Sequence, residues 1–127
     1  MIDKEIIEKK IDIISENMDY LREVSRTDLD AFVSNFERIQ ATKHSLQEAI
    51  EARLDIANHI IAAEGFPRAE EYGQFFTTRL VEMAKFRNLL VHRYSLVDSK
   101  ELHRILNENL GDIQEYVKEI LEFISKR

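Results

Sequence analysis

Apolar residues recur along most of this chain at steps of three and four, which is the period of an α-helix. A first helix is predicted over residues 2–24, and a second helical region extends to residue 61. A bend or a short separate helix is expected at 28–34, because Asp, Ser and Asn side chains there favour local backbone bonds. In the segment 25–28, a Ser or Thr can cap the new helical start. The apolar positions that define the two regions are Ile6, Ile7, Ile11, Ile14, Met18 and Leu21, then Phe32, Val33, Phe36, Ile39, Leu46, Ile50, Leu54, Ala57, Ile60 and Ile61.

The strongest interruption of the helical pattern is the segment 64–67, because its Gly can end a helix in the left-handed conformation and its Pro cannot continue one. A loop is expected to follow, through 72–73. Helical spacing resumes over 76–90, and either Asp98 or Ser99 can cap a last helix. The apolar positions of these later helices are Phe76, Leu80, Ala84 and Leu90, then Leu102, Ile105, Leu106, Leu110, Ile113, Val117, Ile120 and Ile124.

The composition favours an all-α fold. Three Gly and one Pro among 127 residues leave little material for tight turns, whereas helix-forming residues are common. A chain of this length has room for one hydrophobic core. We therefore predict a single domain over residues 1–127, built as an antiparallel bundle of four to five helices.

Charge and cysteine content narrow the functional classes. No cysteine is present, which excludes disulfides, thiolate metal sites and a cysteine nucleophile. The N-terminal residues are charged and no apolar run is long enough to span a membrane, so a cytoplasmic protein without membrane contact is expected. The net charge of −6 argues against non-specific coating of nucleic acid. The net charge does not exclude a cleft that is locally basic on a protein that is acidic as a whole.

The segment 83–94 carries the most distinctive chemistry of the chain. Arg87, Asn88, His92 and Tyr94 fall within eight residues, around an apolar triplet. This string resembles the HEPN motif, an Arg followed after four residues by His, in the extended form typical of HepT-like ribonuclease toxins. The resemblance covers nearly the whole chain: a helical N-terminal half, a Gly/Pro break, the motif at a helix end and a last amphipathic helix. It implies the HEPN fold.

The spacing of the motif predicts a site shared between two protomers. On one continuous helix Arg87 and His92 lie roughly 140° apart, so a single chain cannot easily aim both at one atom. Asn88 and His92 are one turn apart, and Arg87 and Tyr94 fall within about 20° of each other. Related HEPN proteins pair the motif helices about a two-fold axis. A two-fold homodimer is therefore expected.

The resemblance implies RNA cleavage by the neighbouring 2′-hydroxyl, independent of metal ions and cofactors. Such a reaction needs proton transfer and a fixed cation for the phosphorane charge. His92 is assigned to proton transfer and Arg87 to phosphate stabilisation, because imidazole titrates near neutral pH and guanidinium offers forked donors. Asn88 is assigned to orienting His92 or binding the RNA backbone. Three further basic residues are expected to make the cleft mouth positive: Arg79, Lys85 and Arg93. Dependence on the 2′-hydroxyl makes RNA, not DNA, the substrate.

The resemblance also implies a protein partner. HepT-like toxins are typically encoded beside a small nucleotidyltransferase antitoxin, which adds AMP to a Tyr two residues after the motif His. Tyr94 matches that position. AMP on this phenol would place a negative phosphodiester against Arg87 and an adenosine in the cleft. Two alternative hypotheses remain: a non-catalytic dimer that binds a nucleotide or a nucleotidyltransferase, and a purely structural helical dimer.

Other polar and aromatic groups favour ordinary structural roles. Four residues along one side of the second helical region could be interpreted as metal ligands, but carboxylates along one side of a single helix usually form a solvent-exposed face. These residues are Glu48, Glu51, Asp55 and His59. His44 and His103 have polar neighbours in sequence and are predicted to be surface residues. The aromatic residues Phe66, Tyr72, Phe75 and Phe76 are interpreted as packing for the long loop.

Overall fold

The computed structural model describes residues 3–64, 98–108 and 110–125 of the chain, and every regular element in them is an α-helix. The predicted all-α class is thereby confirmed for the described part. In chain order the helices are α1 (Lys4–Ser25), α2 (Leu29–Val33), α3 (Phe36–Glu64), α4 (Ser99–Glu108) and α5 (Leu110–Ser125). The total helix count of the bundle and the homodimer stay predictions.

Helix α1 begins at a side-chain cap and buries one stripe. The Asp3 carboxylate accepts hydrogen bonds from the backbone N–H groups of Glu5 (3.1 Å) and Ile6 (3.3 Å), which satisfies two donors that lack partners within the helix. The buried residues are separated by seven, four and three positions, which fits the predicted helical period: Ile7, Ile14, Met18, Leu21 and Val24. They form the α1 side of the hydrophobic core.

The turn between α1 and α2 differs from the sequence prediction in its cap. Asp28, rather than Ser25 or Thr27, caps α2, because its carboxylate accepts the Ala31 N–H at 2.8 Å. The Ser25 hydroxyl instead donates to the Arg22 carbonyl at 2.7 Å, within the last turn of α1. The predicted short helix at 28–34 is confirmed as α2, whose Phe32 is fully buried.

Helix α3 packs mainly against α1. Its core residues are Leu46, Ala49, Ile50, Ala52, Ile56, Ala57 and Ile60. Two polar contacts fasten its C-terminal half to the start of α1. Lys10 forms an ion pair with Asp55 at 2.8 Å, and the Asp3 backbone N–H donates to His59 Nε2 at 2.9 Å. The helix extends to Glu64, where the sequence predicts a break.

The C-terminal helices complete the described core. The Asp98 carboxylate caps α4 by accepting the Glu101 N–H at 2.8 Å, which confirms one of the two predicted caps. Leu102 and Leu106 bury one face of α4 against α1 and α2. Space is open around Gly111 of α5, since a Cβ built there meets no atom within 4 Å. None of the described helices combines the length and apolar character that crossing a membrane requires.

Candidate functional site

The motif residues lie outside the described residues. This applies to all six predicted site residues: Lys85, Arg87, Asn88, His92, Arg93 and Tyr94. It also applies to Arg79 and to the aromatic group at 66–76. Along the chain, the described helix α3 precedes this stretch and the described helix α4 follows it.

The motif stretch differs from the rest of the chain in charge. Residues 65–97 hold five basic and three acidic side chains, out of 18 and 24 in the whole chain. The net charge of −6 therefore comes entirely from the remaining residues, whereas the stretch that holds Arg87 and His92 has a basic excess. An anionic substrate is attracted by a local excess of this sign even when the protein as a whole is acidic.

His103 joins α4 to the turn between α1 and α2. Its Nε2 lies 2.8 Å from the Thr27 carbonyl oxygen, which can only accept, so Nε2 carries the proton and donates. The imidazole also contacts the Phe32 ring, with centroids 5.5 Å apart and planes inclined at 47°. The prediction that His103 is a surface residue was wrong: the residue is half-buried and tied to a carbonyl 76 positions away.

Two arginines lie at the same turn. Arg38 of α3 donates from Nη1 to the Thr27 hydroxyl at 3.3 Å, and the neighbouring Arg26 is exposed. The Asn35 side chain caps α3 by accepting the Arg38 N–H at 3.0 Å. The turn thus carries the exposed Arg26 beside the exposed Asp28 carboxylate, on a framework of caps and side-chain hydrogen bonds.

A second charged cluster lies on the outer face of α4. Arg104 donates to Glu108 from Nη1 at 2.6 Å and to Glu101 from Nε at 3.2 Å, and its other amino group also contacts Glu101. The hydrogen bond from Arg104 lowers the pKa of the Glu101 carboxyl below its usual value. All three groups are exposed and pair with one another.

The acidic side of α3 has structural partners rather than a metal arrangement. Asp55 is paired with Lys10, the His59 ring nitrogen accepts from Asp3, and Glu48 lies 3.9 Å from His44. Among the described residues no group of three or more His, Asp or Glu side chains could hold a metal ion. His44 is exposed, which confirms its interpretation as a surface residue.

Comparisons with known proteins point to one family. A family model described as Ribonuclease HepT-like matches residues 14–120, a range that includes the whole motif. A protein named tRNA nuclease HepT, from Aphanizomenon flos-aquae (strain 2012/KM1/D3), is 27% identical over 137 aligned positions. The alignment covers 97% of this chain and 92% of that protein.

Proposed function

Because this chain belongs to the Ribonuclease HepT-like family, we propose that it is an endoribonuclease toxin that cleaves RNA without a metal ion, at a site formed by Arg87 and His92 in a dimer cleft. The observation that carries the proposal is the family match across residues 14–120, a range that contains both Arg87 and His92 of this chain. The similarity to a protein named tRNA nuclease makes tRNA the first substrate to test.

The proposed reaction is an internal transesterification. A base removes the 2′-hydroxyl proton, the 2′-oxygen forms a bond to phosphorus, and the bond from phosphorus to the 5′-oxygen breaks as that oxygen gains a proton. The products are a 2′,3′-cyclic phosphate and a 5′-hydroxyl. His92 transfers protons, and Arg87 holds the phosphate oxygens whose negative charge grows in the transition state.

The described helices limit where the motif can act. Tyr94 precedes Asp98 by four residues, so covalent geometry keeps their Cα atoms within about 14 Å of each other. Asp98 caps α4, and α4 packs on the turn that holds Arg26 and Thr27, to which Arg38 of α3 donates a hydrogen bond. This end of the bundle is where we propose that RNA binds.

Purified protein incubated with tRNA in EDTA tests the activity and its independence of metal together. Shorter RNA with 2′,3′-cyclic phosphate ends is the expected product, and a DNA strand of the same sequence should stay intact because it lacks the 2′-hydroxyl. Cleavage that EDTA abolishes, or cleavage of the DNA strand, would contradict the mechanism.

We predict a two-fold homodimer in solution, because on one continuous helix Arg87 and His92 would lie roughly 140° apart, which disfavours a site within one protomer, and two-fold pairing is the commonest symmetry. Small-angle scattering at micromolar concentration should give twice the 15.0 kDa mass of the chain. A monomeric mass at that concentration would exclude the shared site.

The fate of Tyr94 is a further prediction. If an AMP-transferring partner controls the enzyme, Tyr94→Phe should keep the fold and nuclease activity but escape neutralisation, since only the acceptor oxygen is lost. Mass spectrometry after co-expression with a nucleotidyltransferase encoded beside the gene measures the modification. An AMP-sized addition that persists on the variant would place the acceptor elsewhere. Full neutralisation without any addition would refute control by modification.

A further inference from the structure

Two exposed apolar side chains lie close together in sequence where α2 leads into α3. Phe36, the first residue of α3, is 73% exposed, and Leu29, the first residue of α2, is 39% exposed. In the described part of the chain, the other large apolar side chains that are exposed are Ile6 on α1 and Leu121 on α5. Half of this exposed apolar set therefore falls within eight consecutive residues.

Neither of these side chains serves the hydrophobic core. Phe32 is fully buried and Val33 packs against the core, whereas Leu29 and Phe36 belong neither to the described core nor to the side chains packed against it. Apolar surface gains free energy when it leaves water, and exposed aromatic side chains are enriched at protein–protein interfaces. The exposed side chains of residues 29–37, called the junction surface below, thus offer an apolar anchor to a partner.

The junction surface is small enough for one partner to cover. One helical turn leads from Leu29 to Val33 and three further residues reach Phe36, so the Cα atoms of Leu29 and Phe36 lie within about 18 Å of each other. A protein–protein contact of standard size covers about 800 Å² on each partner, a patch roughly 30 Å across. A single partner can therefore bury both side chains.

The junction surface carries negative charge. Two exposed carboxylates, Asp30 and Glu37, each directly follow one of the exposed apolar residues, and residues 29–37 contain no Lys, Arg or His. Within the described part of the chain, neither carboxylate forms an ion pair. Arg38, next along the chain, is half-buried and donates to the Thr27 hydroxyl. The apolar anchor is therefore flanked by acidic groups that a partner can neutralise.

This charge decides among the possible occupants. Surfaces that stack nucleic-acid bases on aromatic rings also carry basic side chains for the phosphates, and residues 29–37 have none. A second copy of the chain paired about a two-fold axis would bring the same carboxylates face to face, because a two-fold contact uses the same patch on both copies. A different protein of opposite charge is attracted to both carboxylates and can bury the Phe36 ring.

We infer that the junction surface docks a different protein, whose surface offers an apolar pocket for the Phe36 ring and Lys or Arg side chains for Asp30 and Glu37. The ring anchors the complex, and the two carboxylates steer the approach and fix the orientation. Docking does not depend on the proposed ribonuclease activity. A wild-type protein that cleaves no RNA would refute the proposed function and leave this inference standing.

Photo-cross-linking in the native cells identifies the occupant. Phe36 is replaced in the full chain by p-benzoylphenylalanine, which keeps an aromatic ring at this position, and the same replacement of the exposed Ile6 on α1 is the matched control. We expect position 36 to cross-link to another protein, identified by mass spectrometry, that position 6 does not capture. Cross-links from position 36 only to RNA or to a second copy of the chain overturn the inference, as does the absence of any cross-link.

The captured protein is then purified and its binding to variants of the chain is measured. Phe36→Ala should raise Kd about 30-fold or more, as expected of an aromatic anchor, whereas Ile6→Ala should stay within about twofold of wild type. Asp30→Lys combined with Glu37→Lys should lower the association rate about tenfold at low salt and less at high salt. Circular dichroism checks that each variant is folded.

Two results of these binding measurements would overturn the inference. A captured protein that binds folded Phe36→Ala as tightly as wild type would show that the ring is not the anchor. An association rate that stays unchanged or rises when both carboxylates are replaced by Lys would show that the partner surface is not basic.

Discussion

Replacing His92 with alanine is expected to lower the rate of RNA cleavage by about 10²- to 10⁴-fold, the range that a positioned proton-transfer group contributes. Arg87→Lys is expected to be severely impaired as well, because an ammonium keeps the charge but loses the forked geometry that holds two phosphate oxygens. Single-turnover cleavage of tRNA measures both. The unfolding temperature should change little, since both residues are proposed to act on the transition state.

His44→Ala is the matched control for the His92 variant. The His44 side chain is 71% exposed on α3, with Glu48 3.9 Å away as its recorded ionic neighbour. Its loss should leave the cleavage rate within about twofold of wild type, as expected of a surface position. Equal rates for His92→Ala and His44→Ala would remove His92 from the mechanism.

The largest expected effect on stability belongs to Phe32→Ala. The ring is fully buried on a helix of five residues, where it joins α2 to the core and contacts His103. Truncating a buried Phe to Ala costs about 3–5 kcal/mol in free energy of unfolding, through lost burial and the cavity left behind. Urea denaturation followed by circular dichroism measures the change, and a variant already unfolded without urea meets the prediction.

Phe36→Ala is the control for that substitution, because it removes the same side chain four positions away. Phe36 is 73% exposed at the start of α3, so its truncation should change the free energy of unfolding by about 0.5 kcal/mol or less. If the two variants lose similar stability, the placement of Phe32 in the hydrophobic core is wrong.

The periodic pattern predicted α1 and the helical region that holds α2 and α3 because these helices bury regular stripes, whereas the single last helix that it predicted is described as two, α4 and α5. Residues Ile7, Ile14, Met18 and Leu21 of α1 face the core at predicted positions, and α3 continues to Glu64, where the segment with the predicted break begins. The cap of α2 was missed because Ser25, Thr27 and Asp28 can all cap a helix. The choice among them depends on backbone geometry that sequence does not specify.

His103 was misassigned for a different reason. Most of its neighbours in sequence are polar, while its partners Thr27 and Phe32 are more than 70 positions away along the chain. One local signal was present: His103 follows the buried Leu102 and lies one turn before the buried Leu106, at the edge of the apolar stripe. In the same way, Asp55 and His59 on the acidic side of α3 have partners near the N-terminus of the chain. Lys10 forms an ion pair with Asp55 and the Asp3 N–H donates to His59, contacts that local sequence patterns do not reveal.

The family resemblance is most specific in the stretch 83–94 and covers nearly the whole chain, and the family match over residues 14–120 confirms it. The roles proposed for Arg87 and His92 require a particular arrangement of two copies of the chain. Neither the pattern of apolar residues nor the described helices determines that arrangement, so it must be tested by mixing protomers.

A heterodimer of Arg87→Ala and His92→Ala protomers tests the shared site most directly. If each site combines Arg87 of one protomer with His92 of its partner, the heterodimer retains one intact site out of two. It should then cleave tRNA at about half the wild-type rate, while both homodimeric variants are inactive. A purified heterodimer without activity, beside an active wild-type protein, would contradict a site built across the two-fold axis.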